Sequence, residues 1–214
     1  MQNQQGQMNM DNQRSGQMLP MQNHGGHEMF DAHEALTTAI NVLDQYMIVR
    51  PYVNDQELLD ILDHQYDYIT TQYNRMVEAF STGKKPSKSI EPYEIPMMTD
   101  ITYGVQAASA PKKPSNNLGE INEQGISAHM LGLLKSTSSV FAMAAPEVTN
   151  SVLRRVVADC IHDFIEMAYE LFLYQNKNAY YQVPQLQQTD MDKMLHAYEP
   201  SQANIKQSNP NQMH

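Results

Sequence analysis

The chain is poor in cysteine and tryptophan: its 214 residues contain one cysteine, Cys160, and no tryptophan. A single cysteine excludes an intramolecular disulfide and is consistent with a reducing compartment during synthesis. Because Cys160 falls on an apolar helical face, we interpret it as a buried, unreactive thiol.

Long apolar runs and long basic stretches are also missing. No segment approaches the ~20 consecutive apolar residues that cross a bilayer, so we predict a soluble protein that does not bind a membrane. The N-terminus lacks the charged-then-apolar pattern of a signal peptide. The net charge is −10 at pH 7, and no basic stripe is present to contact phosphates. We therefore predict no nucleic-acid partner.

The motifs of common catalytic sites are absent as well. The sequence has no glycine-rich phosphate loop, no G-x-S-x-G motif and no suggestive Cys/His pairing. Nothing nominates a nucleophile, so we predict that the chain is not an enzyme, with no catalytic residues and no cofactor.

What the sequence does contain is apolar residues at helical spacing, which predicts an all-α protein. The most regular helix is predicted at 147–178, with Pro146 and Glu147 at its start, where proline forfeits no intrahelical hydrogen bond. Charged residues, among them Asp163 and Glu170, occupy its other faces. Its apolar seam consists of Leu153, Val157, Cys160, Phe164, Met167 and Leu171. Three further helices are predicted at about 27–49, 54–80 and 123–144.

A shift of 95 residues aligns the second predicted helix with the fourth. The aligned seam of the second helix is Leu58, Leu62, Gln65, Ile69, Gln72 and Met76. Each half then reads as helix, proline-containing turn, helix, which indicates either an internal duplication or two helical hairpins of separate origin.

Between the halves, residues 82–122 contain five prolines and lose the helical period. A connection of this length can run the full height of a bundle and let the second and third helices lie parallel. The sequence therefore predicts a four-helix bundle over 27–183, built from two hairpins with a long crossover.

Both ends of the chain are rich in glutamine and asparagine. Residues 1–26 also carry methionine and glycine, with Asp11 and Arg14 as their only charged side chains apart from His24, which is counted as neutral. Such a composition buries too little apolar surface to offset the entropy of ordering, so we predict a disordered tail. Residues 184–214 are predicted to be a second tail, in which 189–198 is compatible with a short amphipathic helix.

A bundle with one long crossover raises the question of a di-metal site. Such a site needs a carboxylate from each of two helices and a Glu-x-x-His pair from each of the other two. Ile61 stands where the second helix would need a carboxylate, so we predict no metal site. A degenerate metal site remains an alternative. Its candidate residues, at or near the matching positions, are Glu34, His64, His129, Asp159 and His162.

Four segments resemble the Coat F family of spore coat proteins from endospore-forming bacteria. They are HGGHEMFDAHE (24–34), LDQYM (43–47), NDQELLDILDHQYDYITTQYN (54–74) and VLRRVVADCIHDFIEMAYELFLYQNKNAYYQVPQLQQ (152–188). The resemblance covers about residues 24–190 and implies a ferritin-like fold. It carries over no catalytic or binding residues.

The resemblance also implies a place and a role. The place is the spore coat, reached after cytoplasmic synthesis in the sporulating cell. The role is that of a structural, interaction-making protein in coat assembly and spore resistance. Its expected partners are other coat proteins, and a homo-oligomer is compatible with this role. The alternative is a ferritin-like metal-binding protein or oxidase with a degenerate di-metal site.

Overall fold

The computed structural model describes residues 24–95, 100–107 and 113–201, and within these ranges the chain is all-helical. The described ranges hold no strand, and their single isolated bridge joins Tyr103 to Val183. The prediction of an all-α protein is confirmed. The α-helices are α1 (Gly26–Val49), α2 (Gln56–Thr82), α3 (Glu123–Glu147), α4 (Ser151–Lys177) and α5 (Gln188–Leu195). None of them is long and apolar enough to span a bilayer.

The helices α2 and α4 are equivalent in length and in the way they start. Each has 27 residues, and shifting the bounds of α2 by 95 residues gives the bounds of α4. Both begin after a side-chain cap: Asp55 accepts a hydrogen bond from the amide of Leu58 at 2.9 Å, and Asn150 accepts from the amides of Val152 and Leu153. These caps satisfy amides that have no partner inside the helix. All twelve residues of the two predicted seams are buried.

The predicted start of the fourth helix at Pro146 and Glu147 is wrong, because both residues lie in the last turn of α3. The chain turns after them, and α4 begins only at Ser151. A buried carboxylate on α1, that of Glu28, holds this turn. Its Oε2 accepts hydrogen bonds from the amides of Thr149 and Asn150, each at 3.0 Å, and from the hydroxyl of Thr149. Glu28 and Thr149 are 121 residues apart, so helical periodicity in the sequence does not indicate this contact.

The ends of the described ranges also refine the predicted tails. The tail predicted over 1–26 is too long, since α1 begins at Gly26 and the His24 ring lies against Phe80, with ring centroids 5.3 Å apart. Residues 1–23 and 202–214 are outside the described ranges. The short helix near the C-terminus is α5, and none of its residues is buried.

Contacts near the helix ends establish the directions of the helices. The amide of Asn54 donates to Glu123 Oε1 at 3.1 Å, so α2 and α3 begin at the same end. At that end Lys177, the last residue of α4, contacts Glu57 at 2.8 Å. At the other end Glu28 meets the α3–α4 turn. Both α1 and α4 pack against α2 and α3, and the four helices share one apolar core.

The connection between α2 and α3 docks in the groove between α2 and α4. The hydroxyl of Tyr68 on α2 donates to the carbonyl of Glu91 at 2.8 Å, and the side chain of Tyr93 is buried. Further along, the amide of Thr102 donates to Asn176 Oδ1 at 2.7 Å, near the end of α4. The described parts of this connection therefore follow α4 toward its C-terminal end.

Candidate functional site

A set of hydrogen-bonded side chains, here called the Tyr93 network, joins α1, α2, α4 and the α2–α3 connection. It consists of Tyr46, Gln65, Tyr93, Glu170 and His64. The Tyr46 hydroxyl donates to Gln65 Oε1 at 2.7 Å, and Gln65 Nε2 donates to Glu170 Oε2 at 2.7 Å. The Tyr93 hydroxyl donates to the same carboxylate oxygen at 2.5 Å and lies 3.2 Å from His64 Nδ1.

Gln65 explains why these groups converge. It occupies a position of the apolar seam of α2 and is fully buried, so an unpaired amide there would be costly. Burial, and then the charge of Glu170, raises the pKa of Tyr46. Burial and the hydrogen bond to Glu170 raise the pKa of Tyr93 well above its usual value. Both phenols therefore stay protonated and act as donors.

Asp163 holds Tyr93 from a second direction. Its Oδ1 accepts from the Tyr93 amide at 2.9 Å, and its Oδ2 accepts from Gln72 Nε2. Arg75 Nη1 donates to Gln72 Oε1 at 2.7 Å, which completes the amide's hydrogen bonds. Tyr93 is thus fixed through its backbone and through its hydroxyl.

The prediction that Asp163 and Glu170 lie among the charged outer positions of the fourth helix is wrong. Asp163 is 4% exposed and Glu170 is partly buried. The reason is that the α2–α3 connection covers this face of α4, and a non-helical segment adds no period to the sequence. Sequence reasoning also missed Tyr93. The available signal was a pair of large apolar residues two positions apart, Tyr93 and Ile95, in a proline-rich connection with no helical period.

Aromatic contacts pack the inserted Tyr93 ring. It stacks on His64 with centroids 5.1 Å apart and meets Tyr68 edge to face at 4.9 Å. Both are favourable arrangements for rings with polar edges.

A cavity of about 860 Å³, here called the α2–α4 trough, adjoins the network. Its carboxylates come from three segments: Glu57 and Asp60 from α2, Glu170 from α4, and Asp100 from the α2–α3 connection. Lys177 at the end of α4 also lines it. The trough is therefore an open, acidic groove that three segments of the chain share.

Three of the five candidate metal residues lie on different helices. Glu34 is exposed on α1, and His129 is exposed on α3 with its Nε2 3.1 Å from Gln45 Oε1. His64 on α2 directs Nδ1 to the Tyr93 hydroxyl. The structure does not gather these side chains into one site.

The other two candidates, Asp159 and His162, are exposed on α4 and line a smaller cavity of about 250 Å³ beside Arg75. Across the described ranges, no three His, Cys, Asp or Glu side chains form a group that could hold a metal ion. The expectation of no metal site stays a prediction.

Cys160 lies in the core of α4 and is fully buried. Burial raises the pKa of its thiol, and the charge of Asp163 adds to this effect. A protonated, inaccessible thiol is a poor nucleophile, in agreement with the sequence-based interpretation.

Comparison with known proteins identifies the family. A curated relative, the spore coat protein F-like protein YhcQ of Bacillus subtilis (strain 168), is 45% identical over 181 residues, which is 85% of this chain and 83% of the relative. Residues 122–184 match the Coat F domain. This chain belongs to the Coat F family of spore coat proteins. The Coat F match covers α3 and α4, which include Asp163 and Glu170. Three other members of the Tyr93 network, Gln65, His64 and Tyr93, lie outside the matched residues. No solved structure matches this chain.

Proposed function

We propose that this Coat F protein is a structural, interaction-making component of the spore coat that contributes to coat assembly and spore resistance. The carrying observation is the 45% identity to a spore coat protein F-like protein across most of both chains. Other coat proteins would be its partners, and self-association would add further contacts.

We infer that the four long helices form a ferritin-like four-helix bundle, with residues 82–122 as its crossover. Two features support this arrangement. The helices α2 and α3 begin at the same end, and α1 and α4 each pack against both of them. A crossover docked through Tyr93 would turn the bundle into a rigid block suited to a scaffold.

The uses of the buried polar groups also favour a structural role. Glu28 holds the α3–α4 turn, Gln65 ties α2 to α1 and α4, and Asp163 fixes the connection through Tyr93. Each of these groups is engaged by other parts of the same chain.

Contacts with other proteins would use side chains that are exposed on the surface of the helices. Large apolar side chains are exposed on α1, on α3 and after α5, for example at Phe30, Met143 and Tyr198. A well-packed core with exposed apolar residues and polar tails fits a protein that makes many weak contacts.

The alternative, a ferritin-like metal-binding protein or oxidase with a degenerate di-metal site, has less support. Its five candidate residues are spread over four helices, and the described ranges hold no convergent metal-binding group. No distance within the Tyr93 network favours a metal-binding protein or an oxidase.

Localisation and loss of the protein test the proposal together. A chain with a C-terminal fluorescent tag should appear as a shell around the developing spore and be recovered in the coat fraction. Spores without the protein should release other coat proteins more readily and lose part of their resistance to lysozyme. A diffuse signal outside the spore, together with an unaltered coat in the deletion strain, would contradict the proposal.

A further inference from the structure

The α2–α4 trough lies between two sets of contacts that establish the register of the two helices. At one end Lys177 Nζ lies 2.8 Å from Glu57, and at the other the Tyr93 hydroxyl bridges His64 and Glu170. Each helix contributes seven residue steps between these ends, which is about 10 Å at ~1.5 Å per residue. The volume of about 860 Å³ falls within the ~300–1,000 Å³ typical of small-molecule sites.

Carboxylates outnumber cations along this trough. Glu57, Asp60, Asp100 and Glu170 line it, and Lys177 is the single Lys or Arg among its described lining residues. Lys177 is already paired with Glu57. Asp60 and Glu170 accept side-chain hydrogen bonds from neutral amide and phenol donors. The trough therefore favours a cationic ligand.

The same carboxylates are too dispersed to share one metal ion. Within the described ranges, no three acidic, histidine or cysteine side chains form a group that could hold one. Small dications require several oxygen ligands within ~2.0–2.6 Å, a condition that separated carboxylates do not meet. A ligand must instead carry its positive charges at separate positions.

The wall between the acidic ends is apolar. Ile61 on α2 and Leu173 on α4 line the middle of the trough, and Ile95 of the α2–α3 connection also contributes. A flexible chain of methylene groups can cover such a wall while its charged ends stay at the carboxylates.

We propose that the trough binds a linear aliphatic polyamine. One ammonium group pairs with Asp60 near the Lys177 end, another pairs with Glu170 beside the Tyr93 network, and the carbon chain between them packs on Ile61 and Leu173. The bound polyamine bridges α2 and α4, so it stabilises the folded chain by mass action.

The full chain should be titrated with spermidine by calorimetry at physiological ionic strength, and its thermal unfolding should be followed with and without the ligand. We expect one spermidine per chain and a rise in unfolding temperature that grows with ligand concentration. Butylamine, which has one charge, and Mg²⁺ at equal ionic strength should give no comparable rise. An equal effect of Mg²⁺, or no spermidine binding up to millimolar concentration, would overturn the proposal.

Matched charge reversals on α2 locate the site. Asp60→Lys changes an exposed lining residue and should weaken spermidine binding at least about tenfold, because a charge-assisted contact becomes repulsive. Asp67→Lys changes an exposed residue of the same helix outside the trough and should retain the affinity. Both variants should unfold like the unaltered chain when no ligand is present. Equal losses of spermidine affinity in the two variants would show that binding depends only on net charge. That result would overturn the assignment of the site to the trough.

Glu170→Gln tests the other end. A glutamine can still accept hydrogen bonds from Gln65 and Tyr93, so the network is kept while the charge is removed. Spermidine binding should weaken at least about tenfold, as for the loss of a charged hydrogen bond. Unchanged affinity in a folded Glu170→Gln variant would contradict the proposed orientation.

Discussion

Among single residues, Phe164 on α4 makes one of the clearest contributions to the core. Its ring is fully buried and meets Phe141 of α3 edge to face, with centroids 5.1 Å apart. Phe164→Ala should lower the free energy of unfolding by about 3–5 kcal/mol, the usual cost of removing a large buried aromatic ring. Its neighbour Ile165 is half-exposed, so Ile165→Ala should cost about 1 kcal/mol or less. Urea unfolding of both variants would check this, and similar losses would contradict the assigned core face.

The candidate metal residues lead to a second prediction at the same scale. The purified protein should retain well below one transition-metal ion per chain after incubation with Fe²⁺, Mn²⁺ or Zn²⁺ and gel filtration. Ile61 replaces a needed carboxylate, and His129 replaces another, which leaves too few anionic oxygens for two cations. Elemental analysis measures the content. Two tightly held ions per chain, lost in Glu34→Ala or His162→Ala, would restore the metal-binding alternative.

Among the secondary-structure elements, the long helices could be predicted because their signal is local. The seams of α2 and α4 repeat with the helical period over 27 residues, and all of their predicted positions are buried. The contacts of Glu28, Asp163 and Tyr93 could not be predicted in this way. Each joins segments 70 or more residues apart. Helical periodicity records which face is buried, but it does not record which turn or connection covers the ends and edges of that face.

The docking of the α2–α3 connection can be tested through its buried tyrosine. Tyr93→Ala removes the stacking on His64 and the hydrogen bond to Glu170, so the connection should become sensitive to limited proteolysis while the helix content by circular dichroism is kept. Tyr103→Ala is the matched control, since Tyr103 is 56% exposed in the same connection. Equal cleavage rates in the two variants would show that Tyr93 does not anchor this segment.

The α3–α4 turn should make stability depend on pH through Glu28. Burial alone would raise the pKa of this carboxyl, but hydrogen bonds from Thr149, His24 and Asn150 outweigh burial and hold the pKa below its usual 4.5. A lowered pKa means that the folded state binds the proton more weakly than the unfolded state. The stabilisation is therefore complete above about pH 5 and is lost as the pH falls through the lowered pKa.

The measurement is urea unfolding from pH 3 to pH 7 for the unaltered chain and for Glu28→Gln. The unaltered chain should be the more stable above about pH 5, and the difference should shrink as the solution becomes more acidic. Glu34→Gln, an exposed change on the same helix, should follow the unaltered chain throughout. A pH-independent gap between the unaltered chain and Glu28→Gln would contradict the assigned role.

For the whole molecule, the charge and the distribution of apolar surface point to association through weak contacts. A net charge of −10 keeps copies apart at long range. Assembly into a coat therefore depends on short-range contacts that repeat many times. Large exposed apolar side chains and two Gln/Asn-rich ends are suited to such contacts, since linked weak contacts raise avidity without a single strong one.

Removal of both ends separates folding from assembly. Residues 1–23 and 202–214 lack the apolar period that would dock them on the helices, so a chain of residues 24–201 should have nearly the same unfolding temperature as the full chain. His24 is kept because it contacts Glu28 and Phe80. In spores, the trimmed chain should be extracted from the coat by detergent far more easily than the full chain, because its weak contacts are fewer. If both chains resist extraction equally, the contacts lie on the helical block itself, and exposed side chains such as Phe30 and Met143 become the positions to change next.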